Sequence, residues 1–155
     1  MEKILKILEE LEGIKKKSFR WGFFGQKSRD RQRESLCRIL LLSFLESEIK
    51  WESVFCGLCP DFKKTEFRTT VGEYLISFEK ISLPTNGFVT TYSFSVSLGA
   101  EKDVLFVESN EFDGGAEKTE ESVRDWRSSR EWSTEISDLI KKLFVLAGSH
   151  PFSSA

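Results

Sequence analysis

The sequence has little of the chemistry on which most enzymes depend. Its 155 residues include one histidine and three cysteines, and neither a glycine-rich phosphate loop nor a GxSxG nucleophile motif is present. The histidine, His150, stands in a Ser-His-Pro sequence before residues 151–155, which we predict to be a mobile tail. A catalytic base must be held by a neighbouring group, and a tail holds it poorly. We therefore predict a non-catalytic protein without a cofactor.

Long apolar runs are also missing. No run approaches the roughly 20 residues that a membrane-spanning helix needs. The first residues form a charged amphipathic stretch without the apolar core of a signal peptide. Three cysteines are an odd number, which favours reduced thiols over a disulfide framework. These features predict a cytoplasmic protein with no membrane span.

One short motif, Cys56-Gly-Leu-Cys59, has the spacing used in redox and zinc chemistry. A redox pair places its first thiol at a helix N-terminus, but residues 61–70 lack a helical apolar period. A structural zinc ion needs four ligands, which would require both of these cysteines together with Cys37 and His150. Cys37 falls in the apolar stripe of a predicted helix, where a thiol is usually a small core residue. We predict no metal and no redox role.

Helical periodicity marks both ends of the chain. Apolar residues at helical spacing predict a short amphipathic helix that Gly13 ends. A loop is expected at 18–27, followed by a second, largely buried helix from about Asp30 to Lys50. Residues 128–131 match a capping box in front of a final amphipathic helix, which Gly148 stops.

Between the helices the apolar period changes to two. In residues 88–98, Phe88, Tyr92, Phe94, Val96 and Leu98 share one face and Val89, Thr91 and three serines share the other, which indicates an antiparallel strand with one wet face. Turn signals flank it, so residues 73–83 and 104–112 are predicted to pair with it. The apolar parity of 73–83 changes midway, and we expect a bulge near Lys80 to accommodate this change. A further short strand is expected at 66–71.

These elements predict an α+β fold in one domain, residues 1–150: a two-layer structure with two N-terminal helices, a three- or four-stranded antiparallel meander, and a C-terminal helix packed on the sheet. The expected core includes Tyr92, Phe94, Val96, Trp132, Ile136, Leu139, Ile140, Leu143 and Phe144. The layout resembles that of secretion chaperones and small toxin-immunity proteins, a likeness of fold that carries little weight for function.

Charge is distributed unevenly along the chain. Residues 15–33 hold eight basic residues and one acidic residue, whereas the rest of the chain is net negative, most strongly over residues 101–138. The aromatic residues Trp21, Phe23 and Phe24 stand in the middle of the basic segment. We predict an exposed basic loop and helix start whose binding residues are Arg20, Trp21, Phe23, Phe24, Lys27, Arg29, Arg31 and Arg33.

Several functions are consistent with this segment. An immunity-, adaptor- or chaperone-like module would dock an acidic protein surface, either on a partner, on a second copy or on residues 101–138 of the same chain. A single-stranded nucleic-acid-binding protein would use the same cations and aromatics, although the acidic remainder of the chain opposes a polyanion. A carboxylate- and metal-dependent hydrolase is a third alternative. The simplest reading is that the aromatics are buried and the cations solvated.

Overall fold

A computed structural model describes residues 1–22, 24–54, 63–83, 89–99, 104–112, 120–128 and 130–149 of the chain. They form α1 (Glu2–Trp21), α2 (Gln26–Glu46), β1 (Glu52–Val54), β2 (Lys63–Val71), β3 (Tyr74–Leu83), β4 (Val89–Leu98), β5 (Leu105–Phe112), β6 (Glu120–Asp125) and α3 (Thr134–Ser149). The α+β character predicted from the sequence is confirmed.

The six strands form one antiparallel sheet whose spatial order follows the chain, from β1 to β6. One row across its centre joins Phe67 to Phe78, Phe78 to Phe94, and Phe94 to Val107. Because side chains alternate between the two faces of a strand, this register gathers the large apolar residues on a single face. That face carries the hydrophobic core.

The sheet is larger than the three or four strands that we predicted. β1 and β6 were missed, and the short strand expected at 66–71 extends from Lys63 to Val71. The bulge expected near Lys80 is wrong, because β3 pairs without a break with β2 from Tyr74 to Ser82 and with β4 from Tyr74 to Leu83. The regular register instead places Ile81 on the face opposite Phe78, where it lies across from Thr91.

The helix boundaries also differ from those predicted. Gly13 does not end α1, because a glycine inside a helix costs only about 1 kcal/mol and the helix continues for eight further residues. α2 begins at Gln26 instead of Asp30 and ends at Glu46 instead of Lys50. α3 begins after Ser133, whose hydroxyl accepts a hydrogen bond from the backbone N–H of Glu135 at 3.2 Å. The expected capping box at 128–131 therefore lies ahead of the helix.

The core lies between the helices and the apolar face of the sheet. The Phe44 ring of α2 meets Phe94 of β4 edge-on with the ring centroids 6.2 Å apart. Phe144 of α3 contacts Phe67 and Phe78 in the same way, at 5.2 and 5.7 Å. Of the predicted core residues, Tyr92 and Phe144 are partly buried against this cluster, and the others are buried: Phe94, Val96, Trp132, Ile136, Leu139, Ile140 and Leu143.

Two expectations concern other parts of the chain. The Cys56–Cys59 motif and the tail after Ser149 lie outside the described residues. Among the described helices, none is both long enough and apolar enough to cross a membrane.

Candidate binding site at the α1–α2 turn

The basic segment folds as the end of one helix and the start of the next. α1 and α2 are joined by a short turn in which Gly22 and Gly25 have φ angles of 59° and 71°. Such angles are readily adopted by glycine alone. The N–H of Gly22 bonds back to the carbonyl of Ser18 at 3.1 Å, which closes α1. The exposed loop that we expected is therefore a helical hairpin.

Large aromatic side chains project into solvent at this turn. Phe19 is 97% exposed, Trp21 is 59% exposed and Phe24 is 82% exposed. Arg20 and Lys27 are exposed beside them, and the Arg20 guanidinium lies 5.9 Å from the centroid of the Trp21 ring. We call Phe19, Arg20, Trp21, Phe24 and Lys27 the aromatic–basic tip.

The structure divides the predicted binding residues into two groups. Exposed are Arg20, Trp21, Phe24, Lys27 and Arg31. Arg29 and Arg33 are buried, with 9% and 4% of their surface exposed. Phe23 lies outside the described residues. The expectation of an exposed segment throughout is thus wrong for these two arginines, since α2 turns them toward the body of the protein.

Arg29 holds the turn together. Its Nη1 donates a hydrogen bond to the carbonyl oxygen of Phe24, and its Nη2 donates to that of Gly22. Carbonyls at the end of a helix lack partners within the helix, so this guanidinium satisfies them. No described residue accepts a hydrogen bond from the buried Nε of Arg29.

Arg33 joins the basic segment to the acidic one. Its Nε donates to Oδ2 of Asp125 on β6 at 2.7 Å, and its Nη2 donates to the carbonyl of Val104 at 3.2 Å. The Asp125 side chain is completely buried and that of Arg33 is 5% exposed. One contact between residues 15–33 and residues 101–138 is therefore made inside the chain. Among the described residues no acceptor reaches Nη1 of Arg33.

A second set of charges fixes α2 to the segment that precedes α3. Arg130 places Nε 2.6 Å from Oδ2 of Asp30 and Nη2 3.1 Å from Oε1 of Glu34. The indole N–H of Trp132 donates to Oδ1 of Asp30 at 3.1 Å. Both carboxylate oxygens of Asp30 are thereby engaged, which ties the first two turns of α2 to this segment.

A cavity of about 200 Å³ opens between the turn and the end of β6. Its lining combines both helices with the residues after β6: Ser18, Gly22, Gln26, Arg29, Asp30, Arg33 and Arg127. We call it the arginine pocket. The aromatic side chains of the tip do not line it, so the tip and the pocket are separate features of the same turn.

Some of these residues had no signal in the sequence. Arg127 and Gln26 were missed, because only the fold brings Arg127, which follows β6, to the turn where Gln26 begins α2. Phe19 was missed although it stands inside the basic segment, since it was assigned to a loop without a role. Its position on a helix, outside the apolar stripe, is the signal that would have marked Phe19 as exposed.

The described residues include no group of three or more His, Cys, Asp or Glu side chains suited to a metal ion. Cys37 lies fully buried in the core, and burial raises the pKa of its thiol well above the ordinary value. Cys56, Cys59 and His150 fall outside this part of the chain.

Comparisons of the chain with protein-family models, with curated proteins and with solved structures find no match.

Proposed function

We propose that this protein is a non-catalytic binding module that docks an acidic protein surface through the aromatic–basic tip. The observation that carries the proposal is the exposure of Phe19, Trp21 and Phe24, at 97%, 59% and 82%, around one turn. Scattered exposed apolar residues are normal in soluble proteins. A group of aromatics at one turn, mixed with cations, is typical of an interaction surface.

Burial of these rings supplies the affinity. Each aromatic side chain offers about 150–250 Å² of surface, and burial of apolar area gains about 25 cal/mol per Å². Removal of two rings from water therefore contributes several kcal/mol to docking. Tryptophan and arginine are also the residues that most often dominate the energy of an interface.

Charge supports an acidic protein as the partner. Lys16, Lys17, Lys27 and Arg31 are exposed along the two helices that meet at the tip, and they attract an acidic surface and speed its approach. The acidic remainder of the chain would repel a long polyanion such as nucleic acid. An acidic patch on a protein partner is limited in area, so the tip alone can cover it and the acidic remainder of the chain stays away from it. A role of the immunity, adaptor or chaperone type would use such a surface.

The test compares matched baits. The wild-type protein, a Trp21→Ser/Phe24→Ser variant and a Val145→Ser variant are used to recover partners from the native source. Val145 is the control because it is 71% exposed but lies on α3. The recovered partner is then produced alone and titrated against each bait. We expect the double variant to bind at least about 30-fold more weakly and Val145→Ser to bind like the wild type.

The contribution of positive charge to docking is tested at exposed residues, because Arg29 and Arg33 are buried and their contacts stabilise the fold. A Lys27→Gln/Arg31→Gln variant should mainly slow association with the partner. Single-stranded DNA and RNA oligonucleotides are titrated in parallel. Tight oligonucleotide binding that falls steeply with salt and disappears in the aromatic variant would replace our proposal with the nucleic-acid alternative. Equal partner binding by all baits would refute a role for the tip.

A further inference from the structure

We propose that the docking surface extends from the aromatic–basic tip across the arginine pocket to Trp126, and that it binds an acidic segment whose aromatic side chain enters the pocket. The inference rests on the proposed function, because it names the chemistry of the partner that the tip docks. It depends on three observations: a pocket whose accessible surface is largely carbon, a tryptophan stacked with a guanidinium on each side of it, and exposed cations on both sides.

The polar groups of the pocket lining are directed to partners within the protein. Arg29 donates to backbone carbonyls of the turn, and Asp30 already engages both of its carboxylate oxygens. Arg33 bonds to Asp125 and to a further backbone carbonyl. The nitrogens of Arg29 and Arg33 that find no acceptor among the described residues have almost no accessible area, so nothing in the cavity reaches them. The pocket therefore offers a guest mainly carbon, from side-chain stems and from Gly22.

The size of the pocket suits an aromatic ring. Its volume is about 200 Å³, and a cavity of about 150 Å³ is large enough to bind benzene. The pocket opens to solvent between the hairpin and the residues after β6, so a side chain of a partner can enter it. Arginine side chains line it on both sides, and arginine packs favourably against aromatic rings. An aromatic side chain thus gains more from this pocket than an aliphatic one.

The same pair of residue types stands on each side of the pocket. On the hairpin, the Arg20 guanidinium lies 5.9 Å from the centroid of the Trp21 ring, and after β6 the Arg127 guanidinium lies 4.8 Å from that of Trp126. Each tryptophan is next in sequence to a residue that lines the pocket, Gly22 or Arg127. Trp126 is 55% exposed. A partner that contacted the tip alone would leave Trp126 in water, whereas a partner that spans the pocket buries both tryptophans.

Charge selects an acidic segment over a purely apolar one. Lys27 and Arg31 are exposed on the hairpin, and Arg124 is exposed near the end of β6, two residues before Trp126. Carboxylates that flank the inserted ring on the partner would meet cations on either side of the pocket. The expected partner segment therefore carries acidic residues around one aromatic residue.

The experiment titrates short fluorescent peptides with the full chain at constant ionic strength. One peptide has glutamates around a central phenylalanine, another has alanine in place of that phenylalanine, and a third has glutamine in place of each glutamate. Fluorescence anisotropy gives the dissociation constants. We expect the first peptide to bind at least about tenfold more tightly than either of the others. Equal binding of the first peptide and either comparison peptide, or no binding of the first at about 1 mM, would overturn the proposal.

Ser18→Leu is the decisive variant, because it fills the pocket from α1 without a change of charge. Ser18 lines the pocket, and leucine is a better helix former than serine. Ser35→Leu is the matched control, since it makes the same substitution at an exposed residue of α2 that does not line the pocket. We expect Ser18→Leu to weaken binding of the phenylalanine peptide at least about tenfold and Ser35→Leu to weaken it less than about threefold.

Trp126→Ser tests the far side of the surface, with Val145→Ser as its control. Trp126 is largely exposed, so its replacement leaves the core intact, and thermal unfolding verifies that each variant is folded. We expect Trp126→Ser to weaken binding of the phenylalanine peptide at least about tenfold and Val145→Ser to bind it like the wild type.

The tip and its extension can fail separately. If Trp21→Ser/Phe24→Ser weakens binding while Ser18→Leu and Trp126→Ser bind like the wild type, docking by the tip stands and the extension across the pocket is wrong. If Ser18→Leu and Trp126→Ser weaken binding while Trp21→Ser/Phe24→Ser does not, the pocket is a binding site and docking by the tip is wrong.

Discussion

Arg33 on α2 and Asp125 on β6 form a buried ion pair, with Nε and Oδ2 2.7 Å apart, across 92 residues of sequence. It joins the most basic segment of the chain to the most acidic one. Since β6 is the last strand of the sheet, the pair also fixes where the helical hairpin lies relative to the sheet. Both the tip and the arginine pocket depend on that placement.

Breaking this pair should be costly. Asp125→Asn leaves the guanidinium of Arg33 buried without its counter-charge, and we expect a loss of about 3–5 kcal/mol in the free energy of unfolding. Urea denaturation measures it. The exposed pair of Arg38 and Glu135, 3.8 Å apart, is the control, and Glu135→Gln should change stability by less than about 1 kcal/mol. Equal effects of the two variants would contradict a structural role for the buried pair.

The core face of the sheet can be tested at its centre. Phe94 and Leu143 are fully buried, and we expect replacement of either by alanine to cost about 2–5 kcal/mol, because it removes apolar contacts and leaves a cavity. Thermal and urea unfolding would record the loss. Val145→Ala on the exposed side of α3 should change stability by less than about 0.5 kcal/mol. An unaltered melting temperature for Phe94→Ala would show that the assigned packing face is wrong.

Two glycines should respond to alanine in opposite directions. Gly72 begins the two-residue turn between β2 and β3 with φ at 59°, and an added Cβ would lie 3.0 Å from Cδ2 of Leu5. Gly72→Ala should therefore destabilise the fold by about 1 kcal/mol or more. Gly13 lies inside α1 with open space around it, so Gly13→Ala should stabilise the fold by up to about 1 kcal/mol. Urea unfolding of both variants provides the comparison, and a stabilising Gly72→Ala would contradict the turn geometry.

Glu66 on β2 should make stability depend on pH. Burial raises the pKa of its carboxyl, but hydrogen bonds from Arg68 and Ser77, with the charges of Arg68 and Lys64, outweigh burial and hold the pKa below its ordinary 4.5. A carboxyl with a lowered pKa stabilises the fold above its unfolded value and loses that effect as the pH falls through its folded value. Glu66→Gln should thus reduce stability at pH 7, and its difference from the wild type should shrink below pH 4.5.

Urea unfolding between pH 7 and pH 3 measures this difference. Ser77→Ala removes one hydrogen bond to Glu66, of 3.0 Å, and should raise the pKa of Glu66 and shift the loss of stability to higher pH. A difference between wild type and Glu66→Gln that stays constant over the whole range would contradict the assigned shift.

The sequence predicted those parts of the fold that carry a regular apolar pattern. β4 alternates between apolar and polar residues from Thr91 to Leu98 and α3 has a complete apolar stripe, and both were found as expected apart from their ends. β6 was missed because Val123 is the only buried apolar residue in Glu120–Asp125; the ladder with β5 makes it a strand. The end of α1 was missed because its buried positions stop at Ile14, although the helix continues to Trp21.

The sequence predicted which types of residue gather at the candidate site, but it did not predict the helical hairpin that carries them. Clustered charge and aromatics located Trp21, Phe24 and Lys27, which are exposed as expected. The helical period places Arg29 and Arg33 on the same face of α2 as the buried Cys37, and Arg31 on another face, a signal that our reading of the sequence did not use. Their different burial arises from the helical turn, which directs Arg33 toward an aspartate 92 residues away. Such distant partners leave no local pattern.

The outermost strands bear on whether copies of this protein polymerise by strand addition. Within the described part of the chain, β1 pairs over three residues, so this stretch offers an incoming strand a short template. On the other side, Asp125 is the last residue of β6, and its buried pair with Arg33 holds that end of the strand to α2; an incoming strand that displaced β6 would have to break this pair. Short strands and inward charges are devices that discourage sheets from extending into aggregates. The salt bridge that orients the hairpin thereby also anchors the outer strand at that side of the sheet.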